Sequence, residues 1–557
     1  MKPAAHFIRG LVALALVGAA LASAPKQTNA LNITLGTGVT TYVVVNVSSS
    51  TATVVANYYY PNGLPGPQQN FTLNPNARLT VDVGSVAGLP SGWSGSVVLS
   101  SDQDIAAVAL TRYSGRPNYD GGGQPRADND AGTEASAYDA FNTGSTTLYA
   151  PLIQRVPLPG NPTSAAVASR ITIQNTTGSI ANGVVNVNPD AFPSFSIPFT
   201  LQPYGSITFD TANDADPIVT GGLTGGTGQQ RASLIVTATQ PIAGVVEQNW
   251  DFPFTYLNWA ADYAMLTPSE AGLVLFSPQA QRECRAATPC IMPNASDYFS
   301  SGANQARFNT FSSFTLLNVG TSTANVQAVL IPAPGVPSGY HTQNITLNFT
   351  IPPQKLFDIN LLNGGTITSG NPLFNTLFAP LVGQNFRGSL RVDSDQPLAG
   401  VGIFQQPPRD VHNYASAYAL VSSAGATNRV VVPWVDRDCV GVCQPPPGTG
   451  ALLGYNSFSS IVVVNVDPNN AATINSVQFY TQTGALQLSL SGFTLAPGAA
   501  YFINTRGGGD VEFNDLASLG NNFKGSAVID AAPGSQIKAT VLVANTRIAD
   551  IYNAMNR

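Results

Sequence analysis

Apolar and polar residues alternate along this chain with the period of two that a half-buried β-strand imposes, in short bursts closed by turn formers. Four bursts run into an amide: Tyr42-Val43-Val44-Val45-Asn46-Val47, Arg170-Ile171-Thr172-Ile173-Gln174-Asn175, Phe314-Thr315-Leu316-Leu317-Asn318-Val319 and Ile461-Val462-Val463-Val464-Asn465-Val466. Their β-branched residues predict strands, and the Asn predicts a turn. A second signature is Phe-Thr, then Leu or Ile, any residue and Pro, at 71–75, 199–203, 349–353 and 493–497, with a further strand behind each. The third is a Ser-led apolar strand, a polar turn and another apolar strand, led by Ser96, Ser233, Ser389 and Ser526.

The three signatures recur in the same order four times, and the leading Ser returns at intervals of 137, 156 and 137 residues. That period suits a complete β domain and is far too long for a solenoid. With no amphipathic helix between the bursts, the pattern predicts an all-β chain of four tandem antiparallel β-sandwich domains, immunoglobulin-like or jelly-roll-like. The expected modules are 31–140, 141–265, 266–420 and 421–557.

Each copy closes on a Tyr signature: Ala137-Tyr138, Asp262-Tyr263-Ala264, Ala417-Tyr418-Ala419 and Ile551-Tyr552-Asn553-Ala554. After the first three comes a strand that meets a Pro, at Leu148-Tyr149-Ala150-Pro151, Val274-Leu275-Phe276-Ser277-Pro278 and Val430-Val431-Val432-Pro433. Three such strands serve four modules. Leu31-Asn32-Ile33-Thr34-Leu35 is a candidate for the fourth; if instead these strands bridge neighbours, the last module lacks one and would accept a strand from another molecule.

Residues 1–30 carry an address. Lys2 and Arg9 precede an apolar run from Leu11 to Leu21, and small residues close it at Ala22-Ser23-Ala24 and Thr28-Asn29-Ala30. This reads as a secretory signal peptide cut after Ala30, because Pro25 disfavours the earlier site. No later stretch reaches the roughly 18 apolar residues of a transmembrane helix, so a secreted, extracellular or cell-surface location is expected.

Composition sharpens the picture. Charged residues are 10% of the 557, with Glu and Lys the scarcest, so long solvated helices are not expected. Weak charge repulsion suits a molecule that packs against its own copies. A net charge of -6 with no basic patch excludes nucleic acid as a partner. The four cysteines fall in close pairs, Cys284 with Cys290 and Cys439 with Cys443, read as local disulfides; the histidines stand at no zinc spacing from them.

Candidate chemistry is sparse. Seven sequons lie at Asn32, Asn46, Asn70, Asn175, Asn294, Asn344 and Asn348 and are glycosylation candidates. Asp128, Asp130 and Glu134 form an acidic loop that is a weak calcium candidate, and Asp210, Asp214 and Asp216 make a second group; neither fits the twelve-residue calcium loop. No cofactor other than possible calcium is expected. His341 and His412 stand near no nucleophile elbow, and no phosphate or dinucleotide fingerprint is present. The recurrent Ser reads as a strand-edge residue after a glycine turn. Tyr58-Tyr59-Tyr60 and the stretch from Trp250 to Trp259 could stack on sugars, with core packing the preferred reading.

The segment Asp395-Gln396-Pro397-Leu398-Ala399-Gly400-Val401 with the Gly-Ser before it resembles repeat modules of secreted, cell-surface proteins of filamentous bacteria, S-layer-like or fibre-forming. The second copy departs from the pattern, having Arg231-Ala232 before its Ser. That resemblance implies β-sandwich repeats and a surface location, and transfers no catalytic residue. The expectation is a non-enzymatic structural protein that self-associates into a layer or fibre, with an adhesin or carbohydrate-binding protein as the alternative; other envelope components and glycans are further candidate partners.

Overall fold

The computed structural model describes residues 11–14, 37–116, 132–141, 143–158, 161–190, 192–223, 230–252, 257–284, 308–336, 338–361, 384–409, 412–439, 455–506, 516–545 and 549–556. Most of these residues are strand, in antiparallel sheets, with almost no helix. Among them no helix is long and apolar enough to cross a membrane.

In the first repeat, β1 (Leu11–Leu14), β3 (Ala52–Tyr59), β4 (Pro65–Leu73) and β6 (Ser96–Ser101) form one four-stranded sheet in the order β4-β3-β6-β1. A second has the order β5-β2-β7-β8, from β2 (Thr37–Asn46), β5 (Arg78–Asp82), β7 (Ile105–Arg116) and β8 (Gly132–Asp139). In the second repeat, β9 (Ser145–Leu158), β10 (Asn161–Asn175), β11 (Ala181–Pro189), β12 (Phe195–Leu201), β13 (Ser206–Asp210) and β14 (Gln230–Phe252) follow the path β12-β11-β14-β9-β10-β13, and β15 (Leu257–Ala264) pairs β14. The third repeats that path with β16 (Gly272–Cys284), β17 (Phe308–Asn318), β18 (Ala324–Pro332), β19 (Ile345–Ile351), β20 (Leu356–Asn360) and β21 (Phe386–Arg409), with β22 (His412–Ala419) on β21 and β23 (Val421–Ser422) on β16. The fourth follows suit with β24 (Arg429–Cys439), β25 (Tyr455–Asn465), β26 (Ala472–Thr481), β27 (Leu486–Leu495), β28 (Ala500–Asn504), β29 (Asn522–Ala531), β30 (Ile537–Asn545), β31 (Ala549–Asn553) and β32 (Met555–Asn556).

Two polar devices recur in every repeat. The Asn of the first signature is fully buried. Its Nδ2 donates to a carbonyl of its own loop, from Asn46 to Ser50, Asn175 to Ser179, Asn318 to Ser322 and Asn465 to Asn470, and to the end of the Phe-Thr strand at Leu73, Gln202, Ile351 and Leu495. Its Oδ1 accepts the N–H two residues on. One side chain thus satisfies backbone groups of two segments that no ladder pairs.

The Pro of the second signature opens a β-turn whose third residue has positive φ: Asn76 and Tyr204 at 57°, Gln354 at 59° and Gly498 at 72°. Pro at the second position and positive φ at the third are the type II arrangement, closed by i to i+3 bonds such as Ala77 N to Asn74 O at 3.0 Å. Tyr204 and Gln354 hold this conformation without the freedom of glycine, a mild strain that packing must offset.

The apolar cores extend from one repeat to the next. One apolar cluster joins the second repeat to Val401, Ile403, Ala415 and Ala417 of the third. Another joins the fourth to Val43, Val45, Val108 and Leu110 of the first. The apolar face of a repeat is therefore wider than its own sheets can cover, and neighbours complete it.

Asn318→Ala removes a buried side chain that makes three hydrogen bonds, two of them to the carbonyls of Ser322 and Ile351. The expected loss is about 2–4 kcal/mol, read from urea unfolding; a loss below about 0.5 kcal/mol would show that the amide is dispensable.

Candidate assembly site: repeat interfaces and the first-strand slot

The leading Ser of the third signature is an interface residue, which corrects its reading as a plain strand edge. Ser96 Oγ donates to Tyr204 O of the second repeat at 3.4 Å, and Ser233 Oγ to Gln354 O of the third at 3.5 Å. Ser389 Oγ reaches Gly498 O of the fourth at 2.5 Å, and Ser526 Oγ reaches Asn76 O of the first at 3.2 Å. Every acceptor is the positive-φ residue of the type II turn. The last bond joins the fourth repeat to the first, so the series closes into a ring. The closing strands follow suit: β15 packs on β8 and β22, and β31 packs on β22 and β8.

Glycine before the Ser has a steric cause. A Cβ on Gly95, Gly388 or Gly525 would collide with the carbonyl of Tyr59, Ile331 or Tyr480 on the adjacent strand. The second repeat departs from that pattern for its own interface. Arg231, buried, forms a two-pronged ion pair with Asp358 of the third repeat. Arg78 of the first repeat meets Asp436 of the fourth at 3.1 Å and lies over the Trp434 ring.

The strand that meets a Pro is the first strand of the repeat that follows it. In the second repeat β9 pairs β14 through Ala150↔Leu234 to Thr147↔Thr237, jogs at Pro151, and then pairs β10 at Arg155↔Ala168. The counterparts β16 and β24 do the same through Ser277↔Leu390 and Val432↔Ala527. Four residues past the Pro stands a buried Arg, which the sequence reading passed over: Arg155, Arg282 and Arg437. Arg155 bonds Thr211 O and Asp214, Arg282 bonds Gln384 O at 2.5 Å, and Arg437 bonds Gly520 O at 2.6 Å. Burial lowers the Arg282 guanidinium to about 10. The Pro-x-x-x-Arg spacing in three copies was the available signal.

The Tyr signature clamps this strand. Tyr263 Oη donates to Leu152 O at 2.6 Å and accepts from Leu152 N, and Tyr552 does the same with Trp434. Tyr418 donates to Gln279 O at 2.6 Å. Each target is the residue just past the Pro, at the jog where the ladder is interrupted. Burial raises all three phenols well above their usual range, so they stay neutral donors. Tyr138 of the first repeat is buried at the same place.

In the first repeat the corresponding place on β6 is taken by Leu11–Leu14, paired from Leu14↔Val97 to Leu11↔Ser100. The register is the counterpart of Ala150↔Leu234 to Thr147↔Thr237. The fourth repeat has β24 in place, which corrects the alternative of a last module lacking its strand; Leu31–Leu35, the candidate for the first module's strand, lies outside the described residues.

Where the ring's closing strands meet, Ser136 Oγ donates to Asp262 Oδ2 at 2.5 Å, and Asn553 N donates to Asp139 Oδ2 at 3.2 Å. Burial pushes the Asp139 carboxyl well above 3.8, with Glu270 adding to the rise, while Asn553 and Lys538 oppose it.

Other candidates are placed as follows. Asn46 and Asn175 are buried, with their amide nitrogens bonded to backbone carbonyls. Asn70, Asn344 and Asn348 are exposed, and Asn32 and Asn294 lie outside the described residues. So do Cys290, Cys443, Asp128 and Asp130, together with the side chains of Cys284, Glu134 and His412; Cys439 is buried at the end of β24. Asp216 caps the short helix α1 (Pro217–Thr220) and accepts from Asp210 N, and Asp214 pairs Arg155, so that acidic group is internal scaffolding. Among the described residues no cluster of His, Cys, Asp and Glu could hold a metal. His341 shares a hydrogen bond with Gln384. Tyr58 is buried against Trp93, Tyr59 stacks on Tyr204 across an interface, and Trp250 is buried.

Tyr552→Phe should cost about 1–3 kcal/mol in chemical denaturation, because the Trp434 carbonyl keeps its burial and loses its donor; no change would remove the clamp from the argument. Asp139 carries a sign. A carboxyl raised in the native state contributes stability that is complete below pH 3.8 and drains as pH rises through its elevated native value. Asp139→Asn keeps an acceptor for Asn553 N, so it should exceed the parent in urea midpoint at about pH 8 and match it at about pH 4; equal differences at both would refute the assignment.

No protein-family model matches the chain, and no curated protein matches it. Among solved structures it is similar to protein 1070 of Thermotoga maritima, at 10% identity and a TM-score of 0.18, over 22% of this chain and 94% of that one. It is also similar to a tetra-tandem repeat in the extending region of a large adhesion protein, at 8% identity and a TM-score of 0.09, over 92% of this chain and 98% of the other.

Proposed function

We propose that this chain is an exported, non-enzymatic surface protein whose four repeats, each a β-sandwich of the immunoglobulin-like kind, form one closed building block that self-associates into an extracellular layer or fibre. The observation that carries the reading is the serine-to-turn bond made with equivalent residues at all four interfaces, the last one closing on the first. A chain that spends one residue position per repeat on joining its own copies is shaped for geometry. The sparse surface charge supports contact between molecules.

An adhesive or carbohydrate-binding role would draw on exposed aromatic faces, and Tyr58, Tyr59 and Trp250 are spent on internal packing. The structural role is therefore the preferred one. Purified mature protein is expected to form ordered sheets or fibres in negative-stain electron microscopy, and labelled antibody should coat intact cells. Uniformly dispersed particles at high concentration with divalent ions, or label confined to the cell interior, would refute it.

A further inference from the structure

In each repeat the strand of the Phe-Thr signature stands at the end of its sheet: β4, β12, β19 and β27 pair on one side only among the described residues. An open edge invites other chains, and sheets guard theirs with Pro, bulges or charge. Three of the four are guarded. β12 carries Pro198 at its centre, and β4 carries Pro65 and Pro67 with a register shift against β3 between Asn57 and Tyr59. In β27 the inward-facing side slips at Gly492, from Leu488 and Leu490 to Phe493 and Leu495.

β19 has none of these devices. It holds no Pro and no charge, and its register on β18 runs without a shift. Ile345, Leu347, Phe349 and Ile351 are buried, while Thr346, Asn348 and Thr350 are exposed. Its order, Ile-Thr-Leu-Asn-Phe-Thr-Ile, reads nearly the same from either end, with Asn348 at the centre. An antiparallel pair about a two-fold axis asks for that symmetry, because each half of the strand must match the other half of an identical copy.

The second repeat tells which backbone groups face outward. Pro198 stands opposite Val184 and has no N–H, so its nitrogen points away from β11. Phe199 and Phe349 open the same signature, so Asn348 stands where Pro198 does. The N–H and C=O of Thr346, Asn348 and Thr350 therefore point to the open edge.

We infer that β19 of one molecule pairs with β19 of a second copy about an axis through Asn348, joining two rings through one continuous sheet. Asn348 faces the partner's Asn348, Thr346 faces the partner's Thr350, and about six backbone hydrogen bonds form across the seam. On the inward side Leu347 faces the partner's Phe349, so the two cores meet. Such a pair closes on itself, since neither copy keeps a β19 edge. The inference deepens the self-association reading, on which it rests for the choice of a second copy as partner, and it names the contact.

The test uses the full-length mature chain, with light scattering after size exclusion over a concentration series. The parent should give twice the chain mass. Asn348→Pro should fold with the parent's urea midpoint, as Pro198 is accommodated in the second repeat, and should raise the dimer dissociation constant about tenfold or more, because both copies lose an edge donor. Thr346→Lys with Thr350→Lys should be monomeric. Thr346→Lys with Thr350→Glu should dimerise again, since each Lys then faces a Glu of the partner, a rescue that a merely structural role would not give. Thr200→Lys, at the matching place in the second repeat, should leave the dimer intact. Peptide mapping should find Asn344 and Asn348 unmodified. A monomeric parent, a dimer that survives both Asn348→Pro and the double Lys variant, failure of the Lys and Glu pair to restore it, or a glycan on Asn348 would each overturn the inference. Sheets or fibres that form equally well from Asn348→Pro would overturn it and keep the layer reading, whereas dimers of this kind without sheets or fibres would support it and sink only the layer reading.

Discussion

The second, third and fourth repeats each depend on one strand, from upstream of the first signature, laid between the Ser-led strand and the first-signature strand. Unpaired backbone groups in a buried sheet cost on the order of 1–3 kcal/mol each, so the gap beside the Ser-led strand has to be filled. β9, β16 and β24 fill it, and the surrounding features follow from that need. The pairing of this strand with the Ser-led strand shifts register along its length, and the Pro marks the place. The jog frees a carbonyl and an amide, and the Tyr hydroxyl takes them up. Beyond the jog the strand passes under a loop, and the buried Arg ties the loop carbonyl down.

How much of this was legible depended on range. Strand content, the order of the signatures and the apolar run before each Pro are local, and period-two alternation carries them. The roles of Ser96, Ser233, Ser389 and Ser526 were hidden, because their partners lie more than 100 residues away in the next copy, and a Ser after Gly looks the same at any strand edge. Asn46 and Asn175 were legible as turn formers, and as sequons they gave no hint of the backbone bonds their side chains make. Their side chains serve the backbone so fully that the Thr or Ser two residues on is part of the turn, as Thr177 bonding back to Asn175 shows. Arg231 looked like a fault in the pattern, since only the position of Asp358 explains it.

Closure of the ring raises a problem of order, because four interfaces built on the same serine and turn are nearly interchangeable. The differences between them fall on charged and aromatic groups. The first and second repeats meet through the Tyr59–Tyr204 stack and Ser136 with Asp262; the second and third through Arg231 with Asp358 and Lys355 with Pro189 O. The third meets the fourth through Arg391 on Pro468 O, and the fourth meets the first through Arg78, Asp436 and Asn553 with Asp139. Buried ion pairs add little net stability, because desolvation offsets most of their attraction. Their weight is felt when they are mismatched. Docking the second repeat on any neighbour but the third would bury the Arg231 guanidinium without Asp358, at a cost of several kcal/mol. The shared serine bond makes closure possible at every interface, and the unshared charges leave one order in which all of them are satisfied.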